Sequence, residues 1–182
     1  GLEAFVAEEL PRLLSLPCPL ILSAGGFSRN DYVTLASGLA EALDLACPEG
    51  WAARVGLELN ISCPNVHSGC ASIGADARET EAVVKAVRAL WPGLLVVKLT
   101  PNVTDIAEIG RAAEAAGADS LAAVNTFKGL VIDRQTLRPY LGNITGGLSG
   151  PAIKPLALRA VYELFEAVSI PIVGMGGVAN VE

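Results

Sequence analysis

The sequence has few of the residues that usually mark metal, redox and nucleic-acid sites. Its 182 residues include one histidine and four cysteines, and no two cysteines form a C-x-x-C pair. That spacing gives no basis for a zinc or thioredoxin-type site, and we expect no metal ligands. Lysine and arginine total 13 against 19 aspartates and glutamates, and the formal charge of −6 argues against nucleic-acid and anionic-membrane partners.

Long hydrophobic runs and the composition of disordered chains are absent as well. Residues 13–28 form one of the longest uncharged stretches, but Pro17 and Pro19 interrupt it and it is too short to span a bilayer. With 52% hydrophobic and 18% charged residues, the chain has the composition of a folded domain. No basic segment of a signal peptide opens the sequence, so we expect a cytoplasmic protein with reduced thiols.

Helical and strand-like segments alternate along the chain. Helical periodicity covers five segments, at residues 3–14, 31–45, 76–90, 104–116 and 154–168. Short apolar runs follow them at residues 19–24, 56–61, 94–99, 120–124 and 170–173. These runs lack polar alternation, which is typical of parallel strands buried on both faces. The alternation therefore predicts right-handed βαβ units, arranged either as a doubly wound sheet or as a (β/α) barrel.

Polar and small residues at the ends of these runs favour the barrel. They follow nearly every predicted strand, as with Ser23, Asn60, Lys98, Asn125 and Gly174. Chemistry spread over several strand ends is typical of a barrel, whereas an open sheet concentrates it at one switch point. We predict an α/β fold, an incomplete TIM (β/α)8 barrel of about five central βα units. A complete barrel needs ~250 residues, so we expect an internal fragment without the first and last strands.

One segment departs from the repeat of helices and strands. Residues 127–147 form a long polar excursion between a predicted strand and the next predicted helix. Structureless loops of this length are uncommon inside compact domains. We therefore predict that the excursion forms a hairpin over the site, within a single partial barrel domain that covers residues 1–182.

The most informative segment is residues 60–65, Asn-Ile-Ser-Cys-Pro-Asn, directly after a predicted buried strand. The amides of Asn60 and Asn65 can hydrogen-bond a planar polar ligand through donors and acceptors. Cys63 is a candidate general base or nucleophile, and the alternative is a small buried hydrophobic residue. His67, the only histidine, is more typical of a solvated loop residue, so Cys63 is the preferred candidate for proton transfer.

Lys98 and two glycine-rich loops indicate a phosphorylated cofactor. Lys98 follows the apolar residues 94–97, and burial of an ammonium group is costly unless a partner or ligand offsets it. The alternative is that Lys98 extends to the solvent at the rim. Gly176 and Gly177 can offer bare backbone N–H groups to a phosphate, as can residues 146–151. Each loop alone is explained by the need for glycine in a turn, but two such loops on one face of a barrel favour a bound phosphate.

Five motifs in this order resemble class 1 dihydroorotate dehydrogenases, and most of all subclass 1B, the NAD-linked catalytic subunits. They are residues 58–66 (Glu-Leu-Asn-Ile-Ser-Cys-Pro-Asn-Val), 97–101 (Val-Lys-Leu-Thr-Pro), 124–126 (Val-Asn-Thr), 146–155 and 173–178. The resemblance covers essentially the whole chain. Class 2 enzymes have serine at the position of Cys63, and dihydropyrimidine dehydrogenases usually have histidine at the position of Asn65.

The resemblance implies FMN-dependent oxidation of (S)-dihydroorotate to orotate in pyrimidine (UMP) biosynthesis. Cys63 is then the catalytic base that takes a proton from C5, while a hydride leaves C6 for the flavin. The implied substrate contacts are Asn60, Asn65, Asn125 and Thr126. The implied FMN contacts are Ser23, Asn60, Lys98, Val124, Gly150, Gly176 and Gly177.

The resemblance also implies partners. A second subunit with FAD and a 2Fe-2S cluster would pass electrons to NAD, and the catalytic subunits would form a homodimer core. Two alternatives stay open, a dihydropyrimidine dehydrogenase-like FMN barrel and a non-catalytic fragment. We expect the isolated fragment to be inactive, since family segments at both ends are missing. The segment 43–55 is longer than the corresponding connection in the family.

Overall fold

The centre of the computed structural model is a five-stranded parallel sheet. The structure describes residues 1–62 and 73–180. The described strands are β1 (Leu20–Ala24), β2 (Val55–Asn60), β3 (Leu95–Lys98), β4 (Ser120–Ala123), β5 (Phe127–Leu130), β6 (Thr145–Leu148) and β7 (Ile172–Gly174), of which β5 and β6 form a separate two-stranded sheet. The sheet has the order β1-β2-β3-β4-β7, and every neighbouring pair in it is parallel. Within the described residues β1 and β7 remain separate edges, so the sheet is not closed into a barrel.

Helices alternate with the strands, as the periodicity predicts. They are α1 (Leu2–Ala4), α2 (Leu10–Leu14), α3 (Arg29–Ala46), α4 (Ala77–Arg88), α5 (Ile106–Ala115) and α6 (Lys154–Phe165). A π-helical turn, Phe5–Glu9, joins α1 to α2. The predicted α/β class and the parallel strands are thus confirmed. None of the helices in the described ranges has both the length and the hydropathy that crossing a membrane requires.

The two faces of the sheet differ in polarity. One face packs on the helices through fully buried residues that include Leu57, Leu59, Leu95, Val97 and Leu121. Successive residues of a strand point to opposite faces, so Glu58 and Asn60 of β2 lie on the other face. The register pairs Ser23 with Glu58 and Asn60 with Lys98, which adds Ser23 and Lys98 to that face. We call it the inner face, and most of the predicted polar side chains from strands lie there.

The connection between α3 and β2 contributes to packing at the opposite end of the sheet. Trp51 and Trp91 are both buried, and their ring centroids lie 4.5 Å apart. Trp51 Nε1 also donates a hydrogen bond of 2.7 Å to Asp44 Oδ1. Because these tryptophans precede β2 and β3, the pair lies at the amino ends of the strands. The segment 43–55 therefore packs the end of the sheet that is remote from the polar strand ends.

Strands β5 and β6 form an antiparallel hairpin between β4 and α6. Its start is held by the side chain of Asn102, in the loop after β3. Asn102 Nδ2 donates to Thr100 Oγ1 and to the Thr126 carbonyl, both at 3.0 Å. Asn102 Oδ1 accepts from the Lys128 N–H at 2.9 Å. These bonds connect the hairpin to the carboxyl end of β3, on the side of the sheet where the polar residues gather.

Candidate active site

The structure brings the described members of the predicted site to one edge of the sheet. Ser23, Asn60 and Lys98 are at or next to the last positions of three neighbouring strands. The carboxyl ends of parallel strands meet at one edge, so residues after β4 and β7 lie there too. Cys63, Asn65 and His67 lie outside the described residues. Among the described residues no group of three His, Cys, Asp or Glu side chains is arranged to hold a metal.

Ser62 links two of the predicted amides into one hydrogen-bonded unit. Its side chain is buried, with 2% of the residue exposed. Ser62 Oγ donates to Asn60 Oδ1 at 2.5 Å and accepts from Asn125 Nδ2 at 2.7 Å. Asn125 Oδ1 in turn accepts from the Thr126 N–H at 2.9 Å. The Thr126 N–H faces the oxygen of the Asn125 amide, and the Ser62 hydroxyl faces the oxygen of the Asn60 amide, so the Asn60 NH₂ group is directed away from Ser62.

Sequence reasoning missed the role of Ser62, although it is part of the most informative motif. The sequence signal for this role was a serine close to a strand-end asparagine, since a hydroxyl can both donate and accept hydrogen bonds. Asn102 was missed as well, because its partners Thr126 and Lys128 lie 24 and 26 residues away in the chain.

Lys98 lies on the inner face beside a carboxylate. The side chains of Glu58 and Lys98 are 15% and 22% exposed, and Lys98 Nζ is 4.0 Å from Glu58 Oε1. The same oxygen accepts a hydrogen bond of 2.7 Å from Ser23 Oγ. Lys98 therefore does not extend freely into solvent at the rim. Glu58 was not predicted as a site residue, and the signal for it was a charged residue within an otherwise apolar strand.

The predicted glycines meet at the beginning of α6. Gly150, Gly176 and Gly177 have φ of +88°, +115° and +74°, a region that side-chain-bearing residues rarely adopt. A Cβ on Gly177 would lie 2.6 Å from the Lys154 nitrogen and 2.9 Å from the Gly150 carbonyl oxygen. Close approach of three backbone segments therefore requires glycine at this position.

The N-terminus of α6 differs from those of the other long helices. Side chains of Ser28, Asp76 and Asp105 cap α3, α4 and α5, whereas no side chain caps α6. An uncapped helix start beside bare glycine backbone suits a phosphate group. Val124 lies nearby and is buried, and its N–H already donates to the Met175 carbonyl at 3.0 Å. A ligand contact at Val124 would therefore use its carbonyl oxygen or its side chain.

A parallel sheet backed by helices, with polar side chains from successive strands at its carboxyl edge, is the arrangement of a section of a (β/α) barrel. The family model described as dihydroorotate dehydrogenase matches residues 1–182. The chain belongs to the dihydroorotate dehydrogenase family. This membership confirms the resemblance of the five motifs. It also confirms the predicted partial TIM barrel, whose sheet stays open within the described residues.

Curated relatives from several bacteria are named dihydroorotate dehydrogenase B (NAD(+)), catalytic subunit. The relative from Caldicellulosiruptor saccharolyticus is 44% identical over 180 residues, which is 99% of this chain and 56% of the relative. Relatives from Trichlorobacter lovleyi and Bacillus pumilus are 47% and 46% identical, again over at least 99% of this chain and 56% of the relative. The chain thus spans about 56% of the length of these relatives.

Proposed function

We propose that this chain is part of an FMN-dependent enzyme that oxidises (S)-dihydroorotate to orotate in pyrimidine biosynthesis. The observation that carries the proposal is the pair of oriented amides, Asn60 and Asn125, in a chain whose whole length matches the family. A cyclic substrate with carbonyl and N–H groups along one edge needs both donors and acceptors in fixed places. The bridge through Ser62 supports such a fixed arrangement.

In this proposal the substrate is held by amides and deprotonated by a thiolate. Asn60 and Asn125 contact the pyrimidine edge, together with Thr126 and, by resemblance, Asn65. Cys63, which follows Ser62 directly in the chain, accepts the C5 proton as general base. The bonds of Ser62 to both amides restrict their rotation, so the ring is oriented before the proton moves.

The residues at this edge fit FMN. Lys98 offers a cation on the inner face, and the glycine backbone at the start of α6 suits a phosphate. We propose that FMN is held by Ser23, Asn60, Lys98, Val124, Gly150, Gly176 and Gly177. When bound, FMN supplies the acceptor for the hydride that leaves the substrate. The residues of the chain supply orientation, the base and the positive charge.

The relatives are named catalytic subunits, which supports a second component for this chain. We propose a partner subunit that carries FAD and a 2Fe-2S cluster and passes the electrons to NAD. We also propose that the catalytic subunits form a homodimer core in the cytoplasm. Sedimentation of the purified protein with and without the co-expressed partner tests both assemblies.

Mixing the full-length protein with dihydroorotate under anaerobic conditions tests the proposed reaction. We expect the visible absorbance of bound FMN to bleach after mixing, with one orotate formed for each FMN reduced. Dihydrouracil is the matched control and should leave the flavin oxidised. Bound FMN that does not bleach would remove dihydroorotate as the substrate, and faster bleaching by dihydrouracil would favour a dihydropyrimidine dehydrogenase-like enzyme.

Substitution Ser62→Ala tests the amide bridge. It removes the partner of Asn60 Oδ1 and of Asn125 Nδ2, and unpaired buried polar groups cost about 1–3 kcal/mol. We expect KM for dihydroorotate to rise by about tenfold or more, since a factor of ten corresponds to about 1.4 kcal/mol. Steady-state kinetics with varied dihydroorotate measures this change.

The control for Ser62→Ala is Ser120→Ala. Ser120 is also buried, but its hydroxyl donates to the Pro171 carbonyl at 2.9 Å and contacts neither amide. We expect this control to lose some stability and keep its KM. Equal KM values in the two variants would show that Ser62 does not orient the amides.

A further inference from the structure

Glu58 is a charged side chain in a strand whose neighbouring residues are fully buried. Leu57 and Leu59, on either side of it, face the helices and have no exposed surface. Glu58 itself points to the inner face, where 15% of its side chain is exposed. Removing a carboxylate from water is costly unless partners compensate for the lost hydration. A residue in this position therefore needs a reason other than packing.

In the described part of the chain, the two polar partners of Glu58 belong to the proposed cofactor site. Ser23 Oγ donates to Glu58 Oε1 at 2.7 Å, and Lys98 Nζ lies 4.0 Å from that oxygen. The three side chains come from neighbouring strands, and the register pairs Ser23 with Glu58 directly. Lys98 is paired with Asn60, two residues beyond Glu58 on the same face. The carboxylate of Glu58 thus lies between the Ser23 hydroxyl and the Lys98 ammonium group.

A purely stabilising ion pair explains this arrangement poorly. Partly exposed pairs at such a distance contribute little to folding, and apolar residues of similar volume often serve a protein interior as well or better. The 4.0 Å separation leaves the ammonium group room to contact a further group while the carboxylate restrains it. The geometry thus suits a carboxylate that restrains a ligand-binding lysine.

We propose that Glu58, oriented by the hydrogen bond from Ser23, is a positioning residue that restrains Lys98 on the inner face and lowers the net positive charge presented there to a ligand. The identity of that ligand as FMN rests on the proposed function, whereas the contact between Glu58 and Lys98 does not. Reduced FMN carries more negative charge on its ring than oxidised FMN does. Loss of the Glu58 charge should therefore favour the reduced form.

Chemical labelling tests the contact without any flavin. The full-length protein, stripped of cofactor, is treated with an N-hydroxysuccinimide ester, and the modification rate of Lys98 is followed by peptide mass spectrometry. We expect Glu58→Gln to raise that rate about fivefold, because the ammonium group loses the carboxylate that restrains it. Exposed Lys85 is the internal reference, and Glu166→Gln, which changes an exposed carboxylate elsewhere, is the matched control.

A second variant keeps this test decisive if Glu58→Gln fails to fold. Ser23→Ala removes the hydrogen bond that orients Glu58 and leaves both charges in place. We expect it to raise the Lys98 rate by a smaller factor than Glu58→Gln. If Glu58→Gln folds and Lys98 is modified at the wild-type rate, the positioning role is overturned. If only Ser23→Ala folds, an unchanged modification rate of Lys98 in that variant overturns it.

The reduction potential of bound FMN tests the charge. We expect Glu58→Gln to bind reduced FMN about tenfold more tightly relative to oxidised FMN, a shift of about +30 mV for a two-electron couple. A structural role alone would weaken both forms alike and leave the potential where it was. An unchanged potential in a variant that binds FMN would overturn the charge effect. If the wild-type protein binds no FMN, the proposed function fails, and the labelling result alone decides the contact between Glu58 and Lys98.

Discussion

Replacing Cys63 by alanine is expected to lower the turnover of dihydroorotate by about 10²–10⁴-fold, the usual contribution of a positioned general base. FMN should stay bound, because the proposed cofactor contacts are made by other residues, including Lys98 and Gly177. Anaerobic stopped-flow measurement of flavin bleaching in the full-length protein gives the rate of the chemical step. Titration of the cofactor-free variant with FMN gives the affinity.

The control for this variant is Cys47→Ala. Cys47 is a free, half-buried thiol at the C-terminal cap of α3, at the end of the sheet remote from the site. We expect it to keep wild-type rates within about twofold, as is usual for substitutions away from functional features. If Cys63→Ala bleaches the flavin as fast as Cys47→Ala does, the proton acceptor is another group.

Gly177→Ala is expected to be the most damaging small substitution in the described part of the site. Its φ of +74° strains any residue with a Cβ, and that Cβ would lie 2.6 Å from the Lys154 nitrogen. Strain and overpacking together should lower the free energy of unfolding by about 2–4 kcal/mol. Because the glycine loop must move away from α6, FMN affinity should fall at least about tenfold, equivalent to about 1.4 kcal/mol. Thermal unfolding and FMN titration measure the two effects.

Two other glycines separate the causes of that damage. Gly50 has a φ of +106° in open space, so Gly50→Ala introduces backbone strain without a clash. Gly142 has open space and no positive φ, so Gly142→Ala introduces neither. We expect Gly142→Ala to lose the least stability, Gly50→Ala more, and Gly177→Ala the most. FMN affinity should fall only in Gly177→Ala. An affinity loss in Gly50→Ala equal to that in Gly177→Ala would attribute the effect to general instability.

The order of helices and strands could be predicted because its signals are local. A run of at least four apolar residues, such as residues 94–97 before Lys98, is recognisable without knowledge of its neighbours. The predicted strand at residues 56–61 differs from β2, Val55–Asn60, by one residue at each end. Polar residues just beyond such runs also predict the carboxyl edge as the site, because parallel strands end together.

The contacts inside the site could not be predicted in the same way. Ser62 and Asn125 are 63 residues apart, and Ser23 and Glu58 are 35 apart. Their hydrogen bonds depend on the register between strands and on the rotation of each amide. The buried neighbours Leu57 and Leu59 already place Glu58 on the face away from the helices, but no local signal tells which residues of the adjacent strands lie beside it.

The parallel α/β architecture, the family and the edge at which the polar residues gather can all be read from the amino-acid sequence, because each depends on short-range periodicity or on motifs within single loops. The fold alone brings Ser62 between Asn60 and Asn125 and places Glu58 beside Lys98. These pairings arise when neighbouring strands align and their side chains share one face of the sheet. Side-chain contacts between strands depend on that alignment, and no single segment of the chain specifies it.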